Sequence, residues 1–183
     1  RTAPAELSSA SFGIGQPVPR NEDPILVRGE GRYTDDLSLE GQLYAAFVRS
    51  PHAHGVLNGI DVSAAQAMKG VVAIYTGADL DGQGYGPLRC QIDLPNRDGT
   101  PIRKPVRMAL ATDKVRFVGD PVAVVVARTA VQARDAAEAV GLDIDVLPAV
   151  ISGEEALAPD APLLYDEVPG NLVLDYQSGD AGK

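Results

Sequence analysis

The stretch Leu43–His54, LYAAFVRSPHAH, decides how the rest of the chain is read. Leu43 to Val48 is an unbroken apolar run, and it stops at Arg49-Ser50-Pro51. Side chains on a strand alternate between faces, so Leu43, Ala45 and Phe47 share one face and Tyr44, Ala46 and Val48 the other. Both sets are apolar, which predicts a strand buried on both sides. Pro51 has no N–H to give to a ladder, so regular pairing should falter there. Beyond it stand His52 and His54, which a strand would aim the same way.

Downstream, one pattern occurs twice: strand, polar turn, capped Ala-rich helix, glycine, strand. Val56–Ile60 resumes as strand. Ser63-Ala64-Ala65-Gln66 is a capping box, with a hydroxyl at the helix start and a reaching amide three residues on. It predicts a short helix over Ala64–Lys69, ended at Gly70 and followed by strand Val71–Thr76. In the second copy, order returns at Val106–Leu110 and Val115–Val118, and Gly119-Asp120-Pro121 turns the chain. Val122–Ala127 (VAVVVA) is the most strand-like run and is expected at the centre of a sheet. Thr129-Ala130-Val131-Gln132 is a second capping box, opening a helix that reaches about Val140. Its inner stripe is Ala133, Ala137 and Val140, with Arg134 and Glu138 paired outside. Gly141 ends it, and Leu142, Ile144 and Val146 alternate with Asp143 and Asp145 as a half-exposed strand. Ser152-Gly153-Glu154-Glu155 caps a third, very short helix stopped by Pro159. These elements predict a mixed α/β (α+β) domain with mixed sheets and two to three short Ala-rich helices.

The remaining segments are looser. Arg1–Pro19 is small, polar and Pro-bearing, and reads as a flexible N-terminal arm. Gly29-Glu30-Gly31 invites a phosphate loop, but that needs a preceding strand, a following helix and a third glycine. A tight turn with an acidic surface fits Thr34-Asp35-Asp36 better. The Gly/Pro-rich connection from Gly77 to about Pro105 is long enough to suggest a functional or contact-making role, with a hairpin around Asp98-Gly99. From Asp160 onward, Leu163–Tyr165 and Leu172–Leu174 could add edge strands, and the rest is linker. The expected organisation is an arm over 1–19, a domain over 20–150 and a linker over 151–183.

Composition narrows the function. The 183 residues carry 16 Lys+Arg against 25 Asp+Glu, a formal charge of −9 that disfavours nucleic acid. The single cysteine, Cys90, excludes an internal disulfide and a cysteine-only metal site. No apolar run approaches the roughly 20 residues of a membrane span, and the start lacks a signal-like hydrophobic stretch. A cytoplasmic location is expected, with a periplasmic or membrane-associated place open for a larger complex. Both ends are abrupt, which suggests a segment of a longer polypeptide.

No residue set makes a convincing active site. His52 and His54 could reach one metal, but a zinc or iron site needs a third and usually a fourth ligand, and nothing nearby in sequence supplies them. Asp61 or a distant carboxylate would have to serve. Ser50, His52 and an aspartate could form a triad on paper, yet no Gly-x-Ser-x-Gly elbow surrounds Ser50. Cys90 sits beside Arg89 in the loose region, where a cation could lower a thiol's pKa. Asp35-Asp36 and Glu154-Glu155 suit solvated surface. A small His-x-His metalloenzyme and a stand-alone protein-binding module using loop 77–105 are therefore alternatives to a scaffold.

An ordered set of motifs does carry a resemblance. It comprises GRYTDDL (31–37), GQLYAAFVRSPHAH (41–54), IDVSAA (60–65), GVVA (70–73), TGADL (76–80), VRFVGDPVAVVVA (115–127), ARDAAE (133–138) and DVLPAV (145–150). This set resembles the N-terminal α/β hammerhead domain of the large, molybdenum-bearing subunit of the xanthine dehydrogenase, aldehyde oxidase and aerobic carbon monoxide dehydrogenase family. Pro169-Gly170-Asn171-Leu172 with Gly179-Asp180 looks like that family's lead into its molybdopterin domains. The resemblance implies a parent subunit with a molybdopterin cytosine dinucleotide cofactor, working with iron–sulfur and FAD subunits, with a homodimer of the complex left open. It implies oxidation of a small substrate with water-derived oxygen, or of CO. The family's catalytic and cofactor-binding motifs do not occur in these residues, so the resemblance implies no catalytic, cofactor or metal residue and no cofactor bound by this segment. Asp120 stands where the family more often has Glu, and Gly55-Val56-Leu57 where Ala-Arg-Ile is usual. Arg49, Ser50, His52, His54, Gly119 and Asp120 are the residues expected to anchor domain or subunit contacts.

Overall fold

The computed structural model describes residues 20–179, in two units divided between Glu40 and Gly41. The expected arm over 1–19 lies outside the described residues. In the first unit, α1 (Asp23–Leu26) is a single turn that Pro24 suits near its start. Gly29, at φ +71°, turns the chain so that the Glu30 N–H donates back to the Ile25 carbonyl at 3.1 Å. A 3-10 turn at Thr34–Asp36 follows, with the Asp36 carboxylate accepting from the Tyr33 N–H at 2.8 Å. Gly29-Glu30-Gly31 therefore follows one helical turn and precedes a 3-10 turn, and it is the tight acidic turn rather than a phosphate loop.

The second unit holds two three-stranded sheets. One has the order β1 (Tyr44–Arg49), β5 (Pro121–Ala127), β3 (Val71–Thr76). The other has the order β4 (Lys114–Val115), β2 (Gly55–Asp61), β6 (Gly141–Val146). Every pairing is antiparallel, which corrects the expectation of mixed sheets. The reason lies in the connections. The β2–β3 connection passes from the second sheet to the first, and the β5–β6 connection passes back. Neither returns to a parallel neighbour in its own sheet, so the mixed α/β class is built on antiparallel ladders.

β5 is central, as its β-branched run predicts, and Val122, Ala123, Val125 and Ala127 are fully buried. α4 (Ala130–Glu138) packs across β1 and β5. Ala123, Val125 and Val48 form one core with Ala65, Ala136 and Val140. Val115, Val122 and Ala111 form a second, and Ile60 and Leu142 touch both. The inner stripe of α4 is Ala133 and Ala136, with Ala137 half-buried and Val140 buried just past the helix end. Arg134 and Glu138 are absent from the four ion pairs among the described residues, so the expected outer pair does not form.

Several local expectations change. β1 is an edge strand with one face exposed: Ala45, Phe47 and Arg49 point out while Tyr44, Ala46 and Val48 point in. Two-sided burial would need a second layer, and among the described elements α4 covers one face only. α2 is Ser63–Gln66, one residue earlier and shorter than predicted, because Asp61 rather than Ser63 accepts the first free N–H, that of Ser63, at 2.9 Å. α4 keeps half of its box, with Thr129 Oγ1 accepting from the Gln132 N–H at 3.2 Å. α5 (Gly153–Ala156) has the full reciprocal box of Ser152 and Glu155. α3 (Gly77–Gly82) occupies the start of the connection read as loose. The Asp98-Gly99 turn does close a bridge, Pro95 to Pro101. Residues 106–110, 163–165 and 172–174 form no strand.

β4 stops after two residues where four were expected. The Asp120 carboxylate takes the Arg116 N–H at 2.9 Å, so that donor faces a side chain rather than a ladder.

Candidate functional site: the corner at the end of β1

Four of the six residues expected to anchor contacts meet where β1 ends and β5 begins. The Ser50 N–H donates to the Asp120 carbonyl at 2.9 Å, and the Gly119 N–H donates to the Ser50 carbonyl at 2.8 Å. The Arg49 guanidinium donates to the Gly119 carbonyl at 2.9 Å and lies 5.4 Å from the Phe47 ring centroid. Gly119 has φ +89°, a left-handed conformation that glycine adopts without cost. The local sequence thus explains the geometry: Pro51 lies just past the end of β1, Pro121 opens β5, and the segments flanking them close with main-chain bonds.

Ser50 is 2% exposed and its hydroxyl is committed. It donates to the His52 carbonyl at 2.9 Å and accepts from the His52 N–H at 3.0 Å. Such a hydroxyl holds a turn and has no base to activate it. His52 and His54 lie in a bend, not on a strand, so their rings do not share a face. His52 is half-buried. His54 is buried, with Nδ1 2.8 Å from the Pro148 carbonyl. A carbonyl only accepts, so Nδ1 carries the proton, and Nε2 is enclosed without a partner. Among the described residues no three His, Cys, Asp or Glu side chains gather as a metal set. Cys90 is exposed.

Beside the corner lies a cavity of about 200 Å³, whose lining includes Arg107, Asp113, Arg116, Phe117, Asp120 and Tyr165. Arg116 organises it. Its guanidinium donates to Asp113, to the carbonyls of Lys114 and Leu164, and lies 4.5 Å from the Tyr165 ring centroid. Burial pushes the Asp120 carboxyl above its usual range, against the pull of the Arg116 N–H and of the Arg107 and Arg116 charges. Burial acts the same way on Asp113, but the Arg116 hydrogen bonds, the Lys114 N–H and the Arg116 charge together outweigh it and hold that carboxyl low. Arg116 was missed in the sequence because it reads as one polar residue in a strand, and its Leu164 partner is 48 residues away.

Loop 94–103 is bonded to the chain's own residues 172–175. Arg97 forms two charged bonds to the Asp175 carboxylate at 2.8 and 2.9 Å. The Arg103 N–H donates to the Val173 carbonyl at 3.1 Å, and the Asp175 N–H to Asn96 at 2.8 Å.

A family model described as "Aldehyde oxidase and xanthine dehydrogenase, a/b hammerhead domain" matches residues 28–148. The chain is 39% identical over 161 residues to the nicotine 6-hydroxylase large subunit of Paenarthrobacter nicotinovorans, covering 88% of this chain and 19% of that protein. It is 39% identical over 169 residues to the carbon monoxide dehydrogenase large chain of Afipia carboxidovorans, covering 92% and 20%. Among solved structures, a Cu,Mo-CO dehydrogenase in its CO-reduced state aligns with TM-score 0.67 at 36% identity, over 91% of this chain and 20% of that one. The aldehyde oxidoreductase of Desulfovibrio gigas aligns with TM-score 0.68 at 33% identity, over 82% and 16%. The chain spans about a fifth of the length of the curated relatives it matches.

Proposed function

This chain belongs to the aldehyde oxidase and xanthine dehydrogenase a/b hammerhead family, and on that premise we propose that it is the scaffold and interface portion of the large subunit of a molybdenum hydroxylase. The parent enzyme oxidises a small substrate with water-derived oxygen and works with molybdopterin cytosine dinucleotide, iron–sulfur clusters and FAD. Its partners are the molybdopterin portion of the same subunit and separate iron–sulfur and flavin subunits, in the cytoplasm. Among the described residues no helix is long and apolar enough to cross a membrane.

The observation that carries the reading is how the corner uses its polar groups. The hydroxyl of Ser50, Nδ1 of His54, the guanidinium of Arg116 and the carboxylates of Asp113 and Asp120 are bonded to each other or to main chain. Those donors do not fit a molybdenum centre, since none converges with others on an empty coordination position. No chemical step is therefore assigned to this chain. Its work is positional: on this reading the hammerhead domain spans residues 20–150, as the family match over 28–148 supports, and the linker runs from residue 151 onward.

The test is made on the full-length large-subunit polypeptide. It should purify with molybdenum, together with an iron–sulfur and a flavin subunit. A polypeptide that assembles without molybdenum overturns the reading. So does a His54→Ala enzyme that stays assembled and metallated yet loses all turnover.

A further inference from the structure

The first sheet carries α4 on one side, and on the other Ala45, Phe47, Val72 and Tyr75 are exposed and Ala73, Val124 and Val126 half-buried. Tyr44, Ala46 and Val48 pair with Ala127, Val125 and Ala123 on the inner face, under α4. The residues between them point the opposite way. There the register lines up two rows across three strands: Phe47–Val124–Tyr75 and Ala45–Val126–Ala73. All six are apolar or aromatic, and the rows lie side by side on one continuous face. At its ends Phe47 is 50% and Tyr75 39% exposed, and Val72, thrown out by the β3 bulge, is 50% exposed. Isolated apolar residues on a surface are ordinary, but a contiguous unpartnered sheet face is not.

We infer that the Phe47–Val124–Tyr75 and Ala45–Val126–Ala73 face is the seat of a further portion of the same large-subunit polypeptide, docked through an apolar surface without net negative charge. This rests on the reading of the chain as part of a molybdenum-hydroxylase large subunit. Two observations select that occupant over a second copy. The relatives carry about four times more chain than is present here, so a tethered partner is at hand. Two copies would also bring together bodies of formal charge −9 each, which disfavours self-association. The only charged side chain at the margin of the two rows on β1 is Arg49, which favours a carboxylate or carbonyl at the partner's rim.

Hydroxyl-radical footprinting of the full-length polypeptide tests this. The labelling rates of Phe47 and Tyr75 are compared with those of the same polypeptide unfolded in guanidinium. Docking predicts at least tenfold slower labelling of both, unchanged on diluting the protein a hundredfold. Rates within twofold of the unfolded chain overturn the inference, because both side chains are then open. Protection that disappears on dilution also overturns it, because the occupant is then a second copy. Molybdenum content, measured on the same sample, separates the two levels. Protection without molybdenum sinks the functional reading and leaves the face assigned to the same polypeptide. Molybdenum without protection sinks only the docking face.

Discussion

Ser50 and Asp120 are joined by a main-chain bond of 2.9 Å that carries the pairing of β1 and β5 beyond Pro121. Proline lacks the N–H that a ladder needs, so the corner relies on Ser50, Gly119 and Asp120 to close it. Asp120 adds a second duty through its side chain, which ends β4 by accepting the Arg116 N–H. One residue thus extends the pairing of one sheet through its carbonyl and ends a strand of the other through its carboxylate.

Ser50→Ala removes a buried hydroxyl that makes two bonds to the main chain of His52. The His52 carbonyl and N–H are then left short of partners. The expected loss is about 1–3 kcal/mol. Urea unfolding should show a lower midpoint with an unchanged slope. An unchanged midpoint would mean that water replaces the hydroxyl without cost.

The two histidines should respond unequally. His54→Ala opens a cavity and strips the Pro148 carbonyl of its donor, with an expected cost of about 2–4 kcal/mol. His52→Ala removes a half-buried ring that makes no hydrogen bond, and should cost under about 1 kcal/mol. In the full-length enzyme, His54→Ala should lower the yield of assembled complex while turnover per molybdenum is kept. Equal effects of the two substitutions would contradict this ranking.

How far the sequence was legible depended on range. β5 could be read because its Val-rich apolar run is uninterrupted, and α5 because Ser152 and Glu155 are three apart. α3 was overlooked although Thr76 and Asp79 form a reciprocal cap, since glycine at its first position and a short Asp acceptor disguise the box. The exposed face of β1 was misjudged because apolarity alone cannot distinguish a strand face covered by described elements from one left exposed among them. The anchoring residues were found by motif, yet their mutual bonding was not visible: Arg49 and Gly119 are 70 residues apart. Arg116 escaped notice for the same reason.

Gly70 is held by two constraints that a mutant cycle can separate. Its φ of +90° suits glycine, and a Cβ there would collide with the amide of Gln132 on α4. Gly70→Ala should cost more than about 1 kcal/mol. Gln132→Ala relieves the collision but not the backbone strain. The double variant should be more stable than the sum of the single losses predicts, by about 0.5–2 kcal/mol. Strict additivity would show that the backbone conformation alone demands glycine.

Asp120 and Asp79 should give stability opposite dependences on pH. Burial holds the Asp120 carboxyl above its unfolded value, so the folded state binds more protons in the window between the two values. Its contribution is therefore most favourable below the unfolded value and declines as pH rises through the folded one. At Asp79 the Thr76 hydroxyl and N–H hold the carboxyl low, so its contribution is present above the unfolded value and is lost as pH falls through the folded one. Asp120→Asn keeps an oxygen that can accept the Arg116 N–H and removes the burial penalty on a charge. At pH 7 this variant should match or exceed the parent by up to about 1 kcal/mol, and its stability should rise less on acidification. Asp79→Asn should lose about 0.5–1 kcal/mol at pH 7, and the loss should shrink in acid. Urea unfolding of both variants between pH 4 and pH 8 checks the pair. If Asp120→Asn is the less stable at pH 7, attraction to Arg107 and Arg116 outweighs burial, and the charge of Asp120 is itself part of what holds the corner together.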